Sequence, residues 1–167
     1  MRKIRYSCFE TNSSSTHSVC ITNPSLIPNE LPIVNDWDYC DGEDTILVDL
    51  EGFCSYCDHK SQMEKMSYVL LQLIYITDNY DAIGYYDCDA ELLEKFYETE
   101  EFKDFEDEIC DYVGCKHVRI NLDSGGYIDH ESVVLDVEEL KNWDLNGFGY
   151  VGFIYAADSH VHFEHNG

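Results

Sequence analysis

Ser61-Gln62-Met63-Glu64-Lys65-Met66-Ser67-Tyr68-Val69-Leu70-Leu71-Gln72-Leu73-Ile74-Tyr75-Ile76 is the stretch that decides the fold. Ser61 followed three residues later by Glu64 has capping-box spacing, in which each side chain satisfies a backbone donor at the start of a helix. Met63, Met66, Leu70, Leu73 and Ile74 recur at helical intervals, so the spacing predicts a helix over 62–78 with an apolar stripe facing a sheet. Upstream, 3–9 and 18–22 read as short strands rich in Ile, Val and aromatic side chains, and 45–50 as a third. Pro24, Pro28 and Pro32 make 23–42 an irregular connection. Downstream, a second helix is expected near Asp89 and a third over 101–113, where Phe102, Phe105, Ile109 and Tyr112 share a face and Gly114 stops the helix. Residues 117–122 and 127–135 flank Asp123-Ser124-Gly125-Gly126 as a hairpin. Asp136 and Glu139 open a short helix to about Trp143, residues 150–156 form a last strand, and 158–167 form a polar tail. This pattern predicts an α+β fold: a mixed or mostly antiparallel sheet with three to four helices packed on it, in one domain over 1–167.

The 167 residues are long enough for a single core, and 44% hydrophobic residues is a globular composition. With 34 acidic against 10 basic residues, the formal net charge is -24. That charge opposes contact with nucleic-acid phosphates and anionic membranes and favours a basic protein surface as partner. The longest apolar segment, 68–76, is too short to span a bilayer. Met1, Arg2 and Lys3 lead into a polar run rather than an apolar one of signal-peptide length, so the expected location is the cytoplasm. The eight cysteines are then expected as free or metal-bound thiols.

Between the first two predicted strands, Glu10-Thr11-Asn12-Ser13-Ser14-Ser15-Thr16-His17-Ser18 packs hydroxyls, an amide, a carboxylate and an imidazole. Such a run can bind phosphate or set a nucleophile beside His17. A solvated turn, in which Ser, Thr and Asn satisfy local backbone groups, explains the same composition. This motif, after an opening basic strand, resembles that of phage and prophage proteins without an assigned function. The resemblance extends to Gly126-Tyr127-Ile128-Asp129-His130-Glu131-Ser132. It implies a phage origin rather than a mechanism, and it raises the expectation that Glu10, Ser13, Ser14, Ser15, His17, Asp129 and His130 meet in one site. As an enzyme, the protein would be a small hydrolase or a nucleotide or phosphate-ligand binder, with Glu10, Ser14, His17, Asp129 and His130 as its catalytic candidates.

Two sets of residues have metal-ligand chemistry. Cys54 and Cys57 have the spacing of half a zinc knuckle, with Cys110 and Cys115 as the other half, although buried unliganded thiols fit the second pair equally well. Asp158, His160 and His162 alternate, so an extended backbone sets them on one face as a partial shell for zinc or another divalent metal. Between Asp87 and Asp111, twelve acidic residues stand against Lys95 and Lys103. Acidic residues at nearly every second helical position approach the charge density of a nucleic acid. The expected function is therefore that of a phage-encoded acidic accessory protein that inhibits a basic, nucleic-acid-binding host or defence protein, with Glu94, Glu98, Glu101, Asp104, Glu108 and Asp111 at the contact.

Overall fold

A computed structural model describes residues 4–7, 15–21, 25–35, 37, 41–53, 58–128 and 149–165. In chain order the strands are β1 (Ile4–Ser7), β2 (Ser15–Ile21), β3 (Ile33–Val34), β4 (Thr45–Val48), β5 (Gly52–Phe53), β6 (Asp58–His59), β7 (His117–Ile120), β8 (Tyr127–Ile128) and β9 (His160–His165). The helices are α1 (Gln62–Ile76), α2 (Ala90–Tyr97), α3 (Glu100–Val113) and α4 (Gly149–Ile154). The fold is α+β, as the sequence predicts. Strands β1-β2-β9-β6 form an antiparallel sheet, β3-β4-β7 a mixed one, and β5 with β8 a parallel pair.

Helix α1 begins at the predicted capping box. Ser61 Oγ accepts from the Glu64 N–H at 3.1 Å, and Glu64 Oε2 accepts from the Ser61 N–H at 2.9 Å. Its C-terminus closes at Thr77, whose hydroxyl donates to the Leu73 carbonyl at 2.7 Å. The helix does not present a single stripe to a sheet, because every residue from Lys65 to Ile74 is buried. The continuous apolar run 68–71 winds round the whole helix circumference, and a helix with apolar residues on every side belongs inside the core. Its polar side chains bind neighbouring segments instead. Gln62 takes the Glu30 N–H at 2.7 Å and donates to the Pro28 carbonyl at 2.9 Å, which pins the proline-rich connection. Ser67 Oγ accepts from the Glu51 N–H at 2.8 Å. Lys65 Nζ donates to the Ala156 carbonyl at 2.9 Å and to Ser159 Oγ at 3.1 Å. Burial holds the Lys65 pKa down to about 8 against the opposing pull of the Glu64 charge.

Three sequence expectations are corrected. Residues 150–156 are not a strand: Gly149–Ile154 is helix α4, buried from Tyr150 onward. A short apolar run fits a buried strand and a buried helix equally well by periodicity, and here packing against α1 and α3 decides. Residues 160–165 are not part of a polar tail, because β9 lies between β2 and β6 with Val161 fully buried and opposite both Val19 and His59. Strands β7 and β8 do not pair as the hairpin expected of 117–122 and 127–135, since β7 pairs with β4 and β8 with β5, both in parallel, and 129–135 lie outside the described residues. The connection between β7 and β8 instead packs on residues 84–86. A Cβ on Gly125 would stand 2.4 Å from the Gly84 carbonyl oxygen and from Tyr86 N. The short helix expected over 136–143 lies outside the described residues.

The close approach at Gly125 yields a prediction. Gly125→Ala forces backbone against backbone and is expected to destabilise the chain by about 1–3 kcal/mol. Chemical denaturation will read this as a lower midpoint at unchanged slope; an unchanged midpoint contradicts the packing described.

Candidate functional site

Helices α2 and α3 carry the densest charge. Each starts at a side-chain cap: Asp89 Oδ1 accepts from the Leu92 N–H at 3.0 Å, and Thr99 Oγ1 from the Phe102 N–H at 3.4 Å. The inner face of α3 buries Phe102, Phe105 and Ile109, and α2 buries Leu93, Phe96 and Tyr97. Helical geometry then sets Glu100, Asp104, Asp107 and Asp111 on the opposite side of α3, and all four are exposed. Asp87, Asp89, Glu91, Glu94 and Glu98 are exposed as well, so nine of the twelve acidic residues in this region face solvent. Lys103 pairs with Glu98 at 2.8 Å, which holds the Glu98 carboxyl below the usual range.

The other three acids flank the buried stripe. Glu106 Oε1 accepts from Arg119 at 2.6 Å and from the Val118 N–H at 2.9 Å, joining α3 to β7. The Arg119 guanidinium lies 4.5 Å from the centre of the Tyr97 ring, whose hydroxyl accepts from the Ile120 N–H. Glu108 Oε1 accepts from the Val151 N–H at 3.0 Å, at the start of α4. Glu101 is half-buried as well. Of the six expected contact residues, Glu94, Glu98, Asp104 and Asp111 therefore face outward, while Glu101 and Glu108 turn toward the body of the protein.

A second cluster was not anticipated from sequence. Glu51, His59 and Glu64 bring ligand atoms within 4.8 Å of one another. Glu64 Oε1 lies 3.0 Å from His59 Nδ1, while Oε2 is fixed by the N–H groups of Lys60 and Ser61. His59 is only 6% exposed, and its ring meets Phe53 edge-on at 4.7 Å. Burial raises the Glu64 pKa, but the Ser61 N–H and His59 outweigh it and hold the carboxyl below its ordinary value. Burial, followed by the negative charge of Glu64, pushes Glu51 the other way. The His59-x4-Glu64 spacing across the helix start was a visible signal. Nothing local announced Glu51, which reaches the site through its backbone bond to Ser67.

A cleft of about 350 Å³ opens between Tyr75, Tyr80, Tyr85 and Tyr127. Tyr85 and Tyr86 are 71% and 87% exposed, and the Tyr85 ring packs at a 47° tilt against Tyr127 with ring centres 5.0 Å apart.

The structure describes only some of the remaining sequence candidates. Residue His17 lies in β2 opposite Phe163, in a different sheet from β8, the strand that leads toward Asp129 and His130. Glu10, Ser13, Ser14, Asp129, His130, Cys54 and Cys57 lie outside the described residues. Cys110 and Cys115 place their sulfurs 3.1 Å apart at the end of α3, with Cys115 buried. Asp158 is exposed ahead of β9, and its carbonyl lies 3.2 Å from His160 Nδ1. His162 stands in β9 opposite both Ser18 and Asp58.

The thiols give a pH-dependent prediction. Burial, reinforced by the Asp87 charge, pushes the Cys88 thiol up to about 11, and burial with Cys115 raises Cys110 as well. A raised thiol pKa keeps the protonated, unreactive form as pH rises. At pH 8, native Cys88 should therefore alkylate about two orders of magnitude more slowly than an ordinary cysteine, and its rate should climb toward pH 11. Peptide mapping after timed alkylation checks this, and a rate equal to that of a free thiol contradicts it. No family model, curated protein or solved structure matches the chain.

Proposed function

We propose that this chain is a phage-encoded acidic accessory protein that occupies the nucleic-acid-binding surface of a basic partner through the outer faces of α2 and α3. One observation carries the reading: nine of the twelve acidic residues between Asp87 and Asp111 are exposed, with only Lys95 and Lys103 among them. The outer stripe of α3, from Glu100 to Asp111, rises by roughly 16 Å and holds four carboxylates, about one per 5–6 Å. A DNA strand carries one phosphate per about 3.4 Å of axis, so this stripe alone is sparser than a strand, and the carboxylates of α2 raise the density. The exposed Tyr85 and Tyr86 adjoin Asp87 in sequence and add the side-chain type that anchors protein interfaces. The N-terminal resemblance to phage proteins supports the phage assignment.

Competition against duplex DNA for a basic DNA-binding domain tests the reading. Wild-type protein should displace the duplex. Reversing Glu94→Lys, Asp107→Lys and Asp111→Lys together should weaken displacement by more than about tenfold. Three reversals elsewhere, Glu30→Lys, Asp123→Lys and Asp158→Lys, should change it by less than about threefold. Displacement should also fade near 1 M salt, where the Debye length shrinks to about 3 Å. Equal losses in the two triple variants, or binding that persists at high salt, contradict the assignment.

A further inference from the structure

We propose that Glu51, His59 and Glu64 form a binding site for one divalent first-row transition metal, of the zinc or manganese class, with two carboxylate oxygens and one imidazole nitrogen as its protein ligands. The three residues come from separate segments that converge on the first turns of α1. Ser67 holds the main chain of Glu51, β6 carries His59, and the capping box fixes Glu64. Bonds of about 2.0–2.1 Å to one metal place neighbouring donors about 2.9 Å apart in octahedral and about 3.4 Å apart in tetrahedral geometry. The His59–Glu64 separation of 3.0 Å is already in that range, and Glu51 needs only a side-chain adjustment from within 4.8 Å.

Helix capping and an ordinary His–Glu hydrogen bond account for Glu64 and His59, but they leave Glu51 unexplained. Two carboxylates set this close repel each other. Among the described residues, no lysine or arginine nitrogen lies within ion-pair distance of either one. A divalent cation would offset that repulsion and take the place of the proton shared by His59 and Glu64. The donor set selects the metal class: imidazole favours transition metals over magnesium and calcium, and among the described residues the cluster offers oxygen and nitrogen donors, unlike the cysteine pair at the end of α3. His59 forms the buried floor against Phe53, while the two glutamates are only half-buried. The metal's remaining coordination positions would therefore face solvent. An open position of this kind is the mark of sites that bind a water or a substrate rather than of purely structural ones. The inference is independent of the acidic face, which contributes no residue to the cluster.

The test is calorimetric titration of the full chain with Zn²⁺ and with Mn²⁺, in millimolar Mg²⁺ so that diffuse binding to the acidic surface is already saturated. Wild-type protein is expected to take up one equivalent of at least one of the two metals. Glu51→Gln and His59→Gln should each weaken that uptake by at least about tenfold. Glu51→Gln is the discriminating variant, because the Glu51 side chain caps no helix and the metal-free protein should stay folded by circular dichroism. Cys110→Ser with Cys115→Ser, and separately His160→Ala, should bind as wild type. The proposal is overturned by the absence of stoichiometric uptake of both metals, by uptake that Glu51→Gln and His59→Gln leave unchanged, or by uptake lost with the cysteine or His160 variants instead.

Discussion

The Glu64 carboxylate takes part in three arrangements at once. One oxygen accepts from the N–H groups of Lys60 and Ser61 and starts α1, and the other holds His59 at 3.0 Å. Through His59 it fixes β6, the strand that closes one edge of the antiparallel sheet. Helix α1, once started, is buried along nearly its whole length, and its polar side chains reach out to the proline-rich connection, to Glu51 and to the join between α4 and β9. A buried helix carries many unpaired backbone groups at its ends, so a well-made cap matters more here than on a surface helix. The constraint that builds the core also builds the Glu51–His59–Glu64 cluster.

The protein's negative charge divides into two populations by geometry. Glu64, Glu106 and Glu108 each accept backbone N–H groups and join elements of the fold. The exposed residues of α2 and α3 make an outward surface, whose mutual repulsion is screened beyond about 10 Å at moderate salt. Helical periodicity sorts one population from the other. On α3, Glu101, Glu106 and Glu108 flank the buried stripe and are half-buried, while Glu100, Asp104, Asp107 and Asp111 turn to solvent.

Much of this architecture was legible in the sequence because its signals are local. The Ser61–Glu64 box, the Phe102-Phe105-Ile109 face and the left-handed Gly114 depend on residues a few positions apart, and each stands where expected. What failed depended on distant partners. The run 150–156 reads as a strand until α1 and α3 close around it. The histidine-rich segment 160–165 reads as a tail until β2 and β6 flank it. Asp123-Ser124-Gly125-Gly126 reads as a hairpin turn, but the glycine at 125 serves a close approach to residues 84–86. The acidic helices were visible as candidate contacts because charge pattern and helical period are both local. Glu51 was not, because long-range contacts of its segment, the bond from its N–H to Ser67 sixteen residues on and the packing of Phe53 on His59, bring it to the cluster.

The central claim is that Glu51 and Glu64 share one electrostatic site, in which the helix cap and His59 stabilise one carboxylate at the expense of the other. Carbon-detected NMR titration of the two side-chain carboxyls, in protein with no metal added, measures this directly. The account predicts that Glu64 titrates below, and Glu51 above, the ordinary glutamate value. Two independent titrations, both at the ordinary value, would show that the carboxyls do not interact and would contradict it.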